Sequence, residues 1–243
     1  MDKPQWLSAM GSPQDFPEPS TALREPNGLL AVGGCLHPDW LLTAYSKGIF
    51  PWYEQGQPIL WWSPNPRAVL FPAELHVSRR LRRTLRRTQL AVTADTAFER
   101  VVSACAEPRR YTSETWITPQ MRAAYVELHK LGWAHSFEAR DGERLVGGMY
   151  GVAIGSVFFG ESMFSKETDA SKIVFVRSVE FLRERGAKLI DCQVWSHHLK
   201  TLGARTLPRE QFVAILRELC ASRSEPRSWQ HEFAQYAKIA HIS

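Results

Sequence analysis

The chain has 243 residues, 44% of them apolar, and a formal net charge of +5, which is room for one large domain or a small one joined to a larger. Its longest uncharged run, LVGGMYGVAIGSVFFG at 145–160, holds five glycines and is too short to span a bilayer as a helix, and the first twenty residues lack the charged and apolar regions of a signal peptide. Cys35, Cys105, Cys192 and Cys220 stand far apart with no C-x-x-C pair, which excludes a zinc ribbon or disulfide framework and leads us to expect a soluble cytoplasmic protein with no membrane partner.

Residues 1–66 are rich in Pro, Gly and Trp and leave room only for short elements. One helix is expected within HPDWLLTAYSKG (37–48), with Asp39 in its first turn and Gly48 ending it. SPNPR (63–67) marks the expected boundary between a small N-terminal domain, 1–66, and a larger one, 67–243. Beyond it, strands are expected at 68–71, 90–93, 134–139, 144–151, 155–160 and 188–194, and helices at 78–87, 95–106, 118–132, 169–185 and 208–221. RDGER (140–144) reads as a hairpin turn and Gly186 as a helix cap. A sheet alternating with helices in this way belongs to the α/β or α+β class.

The positive charge is local. LHVSRRLRRTLRRTQLAVTA (75–94) contains six arginines and no acid, and without them the chain holds 24 basic against 25 acidic side chains. On a helix, Leu81 and Leu85 stack at i, i+4 and dock it on the core. Arg79, Arg80, Arg82, Arg83, Arg86 and Arg87 then fan over the remaining surface. A solvated face is the plain alternative, but uncompensated arginines repel one another unless a polyanion meets them, so a nucleic-acid backbone contact is expected.

Several chemistries fail on their signatures. GES (160–162) lacks the closing glycine of a nucleophile elbow, because that position is Phe164. No H-E-x-x-H, P-loop or G-x-G-x-x-G is present, which leaves no support for zinc, ATP or dinucleotide chemistry. Nine tryptophans beside a basic run suit stacking on unpaired bases, although at least half of them are expected simply to fill core. If the strand at FFGESMF persists, Phe158, Gly160, Ser162 and Phe164 share one face and Phe159, Glu161 and Met163 the other.

LIDCQV (189–194) poses the sharper question. It reads as a buried strand, yet it carries Asp191 and Gln193 on one face, with Ile190, Cys192 and Val194 on the other. A buried carboxylate costs several kcal/mol unless something pairs with it, so this one needs a partner or a task.

Taken together, REPNGLLAVGG, GIFPWY, ILWWSPNPRAVL, ETWIT, LVGGMYGVAIGSVFFGESMFSKETDASK, LIDCQV and HLKTLGA, in that order between Leu23 and Leu216, resemble the leucyl/phenylalanyl-tRNA–protein transferases. The resemblance implies an α+β protein in which a small N-terminal domain precedes a GNAT-like acyltransferase domain with a mixed sheet. It implies a monomeric enzyme that moves leucine, phenylalanine or methionine from aminoacyl-tRNA to the N-terminal amine of proteins beginning with Arg or Lys, marking them for N-end-rule degradation. The ester is already activated, so neither cofactor nor metal is expected.

The resemblance places a catalytic pair on Asp191 and Gln193, the first as the anion that polarises the acceptor ammonium or as a general base, the second to orient it. Replacing Asp191 by Asn is then expected to stop transfer and spare the fold. Glu161 joins the site by the same similarity. Met149, Met163, Phe175 and Ile190 are implied as the apolar pocket for the transferred side chain, and Trp52, Trp116 and Phe158 as the surfaces that bracket the terminal adenosine. The chain departs from the family pattern in IVFVRSVEFL. Phe175 replaces a common leucine, and Ser178 stands where a large apolar residue is usual. Both are expected on one pocket-lining helix face. Two rivals are an aminoacyl-tRNA-dependent ligase of cell-wall precursors, which is usually longer, and a non-catalytic tRNA-binding module, which would leave the Asp-x-Gln pair unexplained.

Overall fold

A computed structural model describes residues 3–107, 116–221 and 226–240. The chain begins with β1 (Gln5–Leu7), β2 (Leu29–Gly33), α1 (Pro38–Ser46), β3 (Phe50–Pro51) and β4 (Leu60–Trp62). Then come β5 (Arg67–Leu70), α2 (Arg79–Arg87), β6 (Ala91–Ala94), α3 (Phe98–Ala106) and α4 (Pro119–Lys130). A three-stranded meander follows, β7 (Ala134–Asp141), β8 (Arg144–Ile154) and β9 (Val157–Ser165), and leads into α5 (Ala170–Glu184) and β10 (Leu189–Gln193). The chain ends with α6 (His197–Thr201), β11 (Arg205–Leu207), α7 (Arg209–Leu219) and α8 (Gln230–Ala240).

The strands form two sheets, β1-β2-β4-β3 and β11-β5-β10-β9-β8-β7-β6. In the larger sheet β9 and β10 run parallel while their neighbours pair antiparallel, so the sheet is mixed and the α+β class holds. Apolar side chains pack on both of its faces. Leu81 of α2, α5 and α8 cover one, with Phe137, Phe158 and Ile190. The other is covered by α1, α3, α4 and α7, and here Trp61 and Ala31 of the small sheet share one core with Val69, Tyr150 and Phe159 of the large one.

Local chemistry explains the element ends. Thr118 caps α4 through its hydroxyl, with Pro119 in the first turn. Gly186 follows α5 at φ +86°, where a side chain would be strained. The helix expected from residue 95 starts at Phe98, because Asp95 at φ 57° is turned inward to bind His135 Nδ1 at 2.9 Å and the Trp229 N–H at 2.7 Å. That contact, with His135 stacked 3.4 Å from Trp229, anchors the chain entering α8, a helix that sequence pattern alone does not announce.

All six arginines of α2 are exposed while Leu81 is buried and Leu85 packs beside it. Among the described residues no helix is long and apolar enough to cross a membrane, and no disulfide links the four cysteines.

Candidate active site

Pairing between the parallel strands β9 and β10 runs from Leu189↔Val157 to Asp191↔Phe159 and stops there. Beyond that point the strands part. Gly160 to Met163 on one and Asp191 to Val194 on the other become two walls of a cavity of about 500 Å³.

A bulge in each strand aims the polar groups. Opposite β5, Asp191 pairs with Val69 and Gln193 with Ala68, so Cys192 is an extra residue, and Gln193 takes φ 59°. Opposite β8, Tyr150 pairs with Ser162 and Gly151 with Gly160, so Glu161 is the extra residue. A Cβ on Gly151 would lie 2.6 Å from the Phe158 ring, so glycine lets the strands close at this point. The bulge reverses the expected alternation. Met163 shares a face with Phe158, while Phe164 packs with the Phe159 side. Simple alternation likewise fails past Asp191.

The partner of Asp191 is Arg67, which sequence reasoning missed. The guanidinium donates from Nε to Oδ1 at 2.8 Å and from Nη2 to Oδ2 at 2.6 Å, with both side chains essentially unexposed. Its Nη1 donates to the Gly48 carbonyl at 3.1 Å, and its centre lies 4.7 Å from the Phe50 ring and 4.8 Å from that of Phe212. Asp191 Oδ1 also accepts the Gln193 N–H at 2.9 Å, which holds Gln193 in its left-handed conformation. Asp191, expected as the anion or base of the reaction, lies at the cavity wall, but its side chain is unexposed and its charge is matched by the enclosed Arg67 guanidinium, an arrangement that fixes its neighbour Gln193.

Gln193 carries the arrangement onward. Its Nε2 donates to Glu161 Oε1 at 2.8 Å, the Tyr125 hydroxyl donates to Oε2 at 2.6 Å, and the Tyr45 and Tyr125 hydroxyls lie 2.7 Å apart. Burial raises the Glu161 pKa to about 7 and the charge of Asp191 adds to the rise, against hydrogen bonds from Tyr125, Tyr45 and Gln193 that favour the anion. Burial, and then the charge of Glu161, push the Tyr125 phenol well above its ordinary value, so it remains a donor. Glu161 is thus a carboxylate at the cavity wall that can exchange a proton near neutral pH.

Met149, Met163, Phe175 and Ile190 line the cavity together, as do Trp52, which is 45% exposed, and Trp116. Phe158 does not, and its expected contact with adenosine is corrected. It is fully buried against Phe137 and Trp229 on the α5 side of the sheet. Ser178 is corrected too. It is fully buried, donates to the Phe175 carbonyl at 2.8 Å and lies 3.2 Å from Met149 Sδ, behind the cavity wall and not in it. Glu114 and Thr115 of ETWIT lie outside the described residues.

The family described as leucyl/phenylalanyl-tRNA protein transferase matches residues 69–217, and its N-terminal domain matches 34–65. The chain is 57% identical over 220 residues to the leucyl/phenylalanyl-tRNA–protein transferase of Anaeromyxobacter dehalogenans (strain 2CP-C), covering 90% of this chain and 94% of that one. It is 59% identical over 201 residues to the transferase of the same name from Stutzerimonas stutzeri (strain A1501), covering 83% and 89%. Among solved structures, a GCN5-related N-acetyltransferase from Kribbella flavida superposes with a TM-score of 0.35 at 12% identity, over 71% of this chain and 61% of that one, a likeness too remote to bear on the site.

Proposed function

The chain belongs to the leucyl/phenylalanyl-tRNA–protein transferase family and is an aminoacyltransferase, and from that premise we propose that it moves leucine, phenylalanine or methionine from tRNA to the N-terminal α-amine of cytoplasmic proteins beginning with Arg or Lys, marking them for N-end-rule degradation. The observation that supports this best is one cavity with an apolar wall of Met149, Met163, Phe175 and Ile190 facing Glu161 and Gln193. The apolar wall receives a side chain without polar groups, and flexible Met suits guests of different shape. Trp52 and Trp116 receive the terminal adenosine.

The acceptor α-amine, with a pKa near 8 when free, arrives largely as ammonium. Glu161 takes one proton from it, and Gln193 orients the pair. The amine nitrogen then attacks the ester carbonyl carbon, the C–N bond forms, and the bond to the ribose oxygen breaks. The second proton of the amine goes to that departing oxygen, so atoms and charge balance without a cofactor or metal. Asp191, held by Arg67, fixes Gln193. The test is transfer of labelled leucine from Leu-tRNA to peptides beginning with Arg, Lys or Ala. Incorporation into the first two and not the third is expected, and incorporation into none would return the chain to a tRNA-binding role.

The arginines of α2 grip tRNA phosphates without reading sequence in this scheme. Replacing Arg82, Arg83 and Arg86 together is expected to flatten the log–log salt dependence of tRNA binding by about 0.7–0.9 for each phosphate no longer neutralised. An unchanged slope would make the helix an ordinary solvated face.

Selectivity follows from Ser178 standing behind Met149. Ser178→Leu is expected to push the Met149 side chain into the cavity and to lower Phe transfer more than Leu transfer. One methylene of apolar burial is worth roughly 0.8 kcal/mol, about a fourfold change in the rate ratio. Competition between Phe-tRNA and Leu-tRNA donors measures that ratio directly. If it does not move, Met149 is not displaced.

A further inference from the structure

Two acid-free segments meet beside the cavity. One is α2, and the other is CQVWSHHLKTLGARTLPR (192–209), which holds Lys200, Arg205 and Arg209 and no carboxylate. The short helix α6 links them. Ser196, His198 and Leu199 line the cavity, whereas Thr201 and Leu202 close a small hollow with Ser78, Arg80 and Leu81 at the start of α2 and with Asp169 and Lys172 beside α5. The His76 N–H donates to the Leu202 carbonyl at 3.0 Å, which fixes this end of the bridge to the chain entering α2.

The charged groups along the bridge are cationic apart from Asp169, which stands beside Lys172. The Lys172 side chain is 41% exposed and pairs with Asp169 at 2.6 Å. Lys200 is exposed and forms no ion pair among the described residues. His198 sits between the cavity and Lys172, close enough that the lysine, after burial, lowers its pKa. Trp195 is 44% exposed, between the cavity-lining residues Val194 and Ser196.

We propose that this bridge binds the single-stranded 3′ tail of the donor RNA, with Lys172 and Lys200 on its backbone phosphates and the Trp195 ring stacked on the base next to the terminal adenosine. The inference rests on the transfer reading above and extends it from the cavity to the path by which the donor arrives. Unpaired RNA is held by a cationic track combined with an aromatic platform, and both stand here in sequence between α2 and the cavity. An acceptor peptide beginning with Arg or Lys would be repelled by the same lysines, so charge favours the RNA as the occupant.

The test compares three donors carrying one aminoacyl ester: aminoacyl-adenosine, an aminoacylated CCA trinucleotide, and full-length tRNA. The double variant Lys172→Ala/Lys200→Ala and the single variant Trp195→Ala are each expected to lose about tenfold in kcat/KM on the trinucleotide and on tRNA, and nothing on aminoacyl-adenosine. For the double variant the salt slope with the trinucleotide should fall by about 1.4, at roughly 0.7 per single-strand phosphate. The α2 triple arginine variant is expected to lose activity on full-length tRNA only. An equal loss on aminoacyl-adenosine, an unchanged trinucleotide rate, or a changed KM for the acceptor peptide overturns the proposal. Should the unaltered protein transfer from none of the three donors, the transfer reading falls and takes this inference with it.

Discussion

Replacing Glu161 by Gln is expected to slow transfer by two to four orders of magnitude, about the range for loss of a general base, and at the same time to stabilise the fold at alkaline pH. The two effects have one origin. Burial and the nearby charge of Asp191 raise the Glu161 pKa from the ordinary carboxylate value to about 7. A base is useful only when ionised, so kcat/KM should rise with pH through 7 and level off as the acceptor amine itself deprotonates. The Gln variant should lack that inflection.

The stability effect has a definite sign. A carboxyl whose pKa is raised on folding contributes stability that is complete below its unfolded pKa and is lost as pH rises through the folded value. For Glu161 the loss runs from about pH 4.5 to 7 and amounts to at most about 3 kcal/mol, reduced by whatever solvent in the cavity screens. Glutamine has the same shape and no such loss, so the variant should gain on the parent at pH 8 and gain little at pH 5. Denaturant midpoints at the two pH values measure the difference. A pH–rate inflection near 7 that survives in the Gln variant would put the proton on another group.

The regular part of the large sheet is legible in the sequence because alternation and turn residues act locally. The β7–β8 hairpin across Gly142 and the α5–Gly186–β10 unit form close to the expected limits. The site is harder to read, for a physical reason. Each of its two polar strands contains one extra residue, at Glu161 and at Cys192, and a single-residue insertion leaves composition and hydrophobicity unchanged while reversing every side chain beyond it. Family likeness puts Phe158 in the cavity, yet it lies deeper on the face it shares with Met163 and Ile190, closed off against Phe137 and Trp229. Helix spacing puts Ser178 on the right face but does not say which layer of that face a short side chain reaches. Arg67 leaves a faint trace, as the one charged residue between a proline-rich turn and the apolar run AVLF. Its contacts with a residue 124 positions away cannot be read from spacing. Tyr45 and Tyr125 give no sign at all, since a buried tyrosine in a helix looks like any aromatic core residue.

Asp191→Asn is expected to cost about 3–5 kcal/mol of stability as well as activity, in place of the intact fold that the sequence alone suggests. The amide keeps the shape of the carboxylate but leaves the Arg67 guanidinium, enclosed between Phe50 and Phe212, without its counter-charge, and breaking a buried pair from one side typically costs that much. The amide also turns one donor toward another, because Asn can accept from Arg67 at only one of the two positions that Asp191 fills at 2.8 and 2.6 Å. Removing both partners should behave differently. Arg67→Met with Asp191→Leu exchanges the pair for apolar side chains, and such exchanges are often neutral or stabilising, so most of the lost stability should return. Activity should not return, since the Gln193 N–H then has no acceptor to hold it at φ 59° and its side chain is no longer set against Glu161. Chemical denaturation of the single and double variants, read beside leucine transfer from Leu-tRNA, separates the two effects. An Asn variant that unfolds at the parent's denaturant concentration, with transfer alone abolished, would make Asp191 a participant in the chemistry rather than the support beneath it.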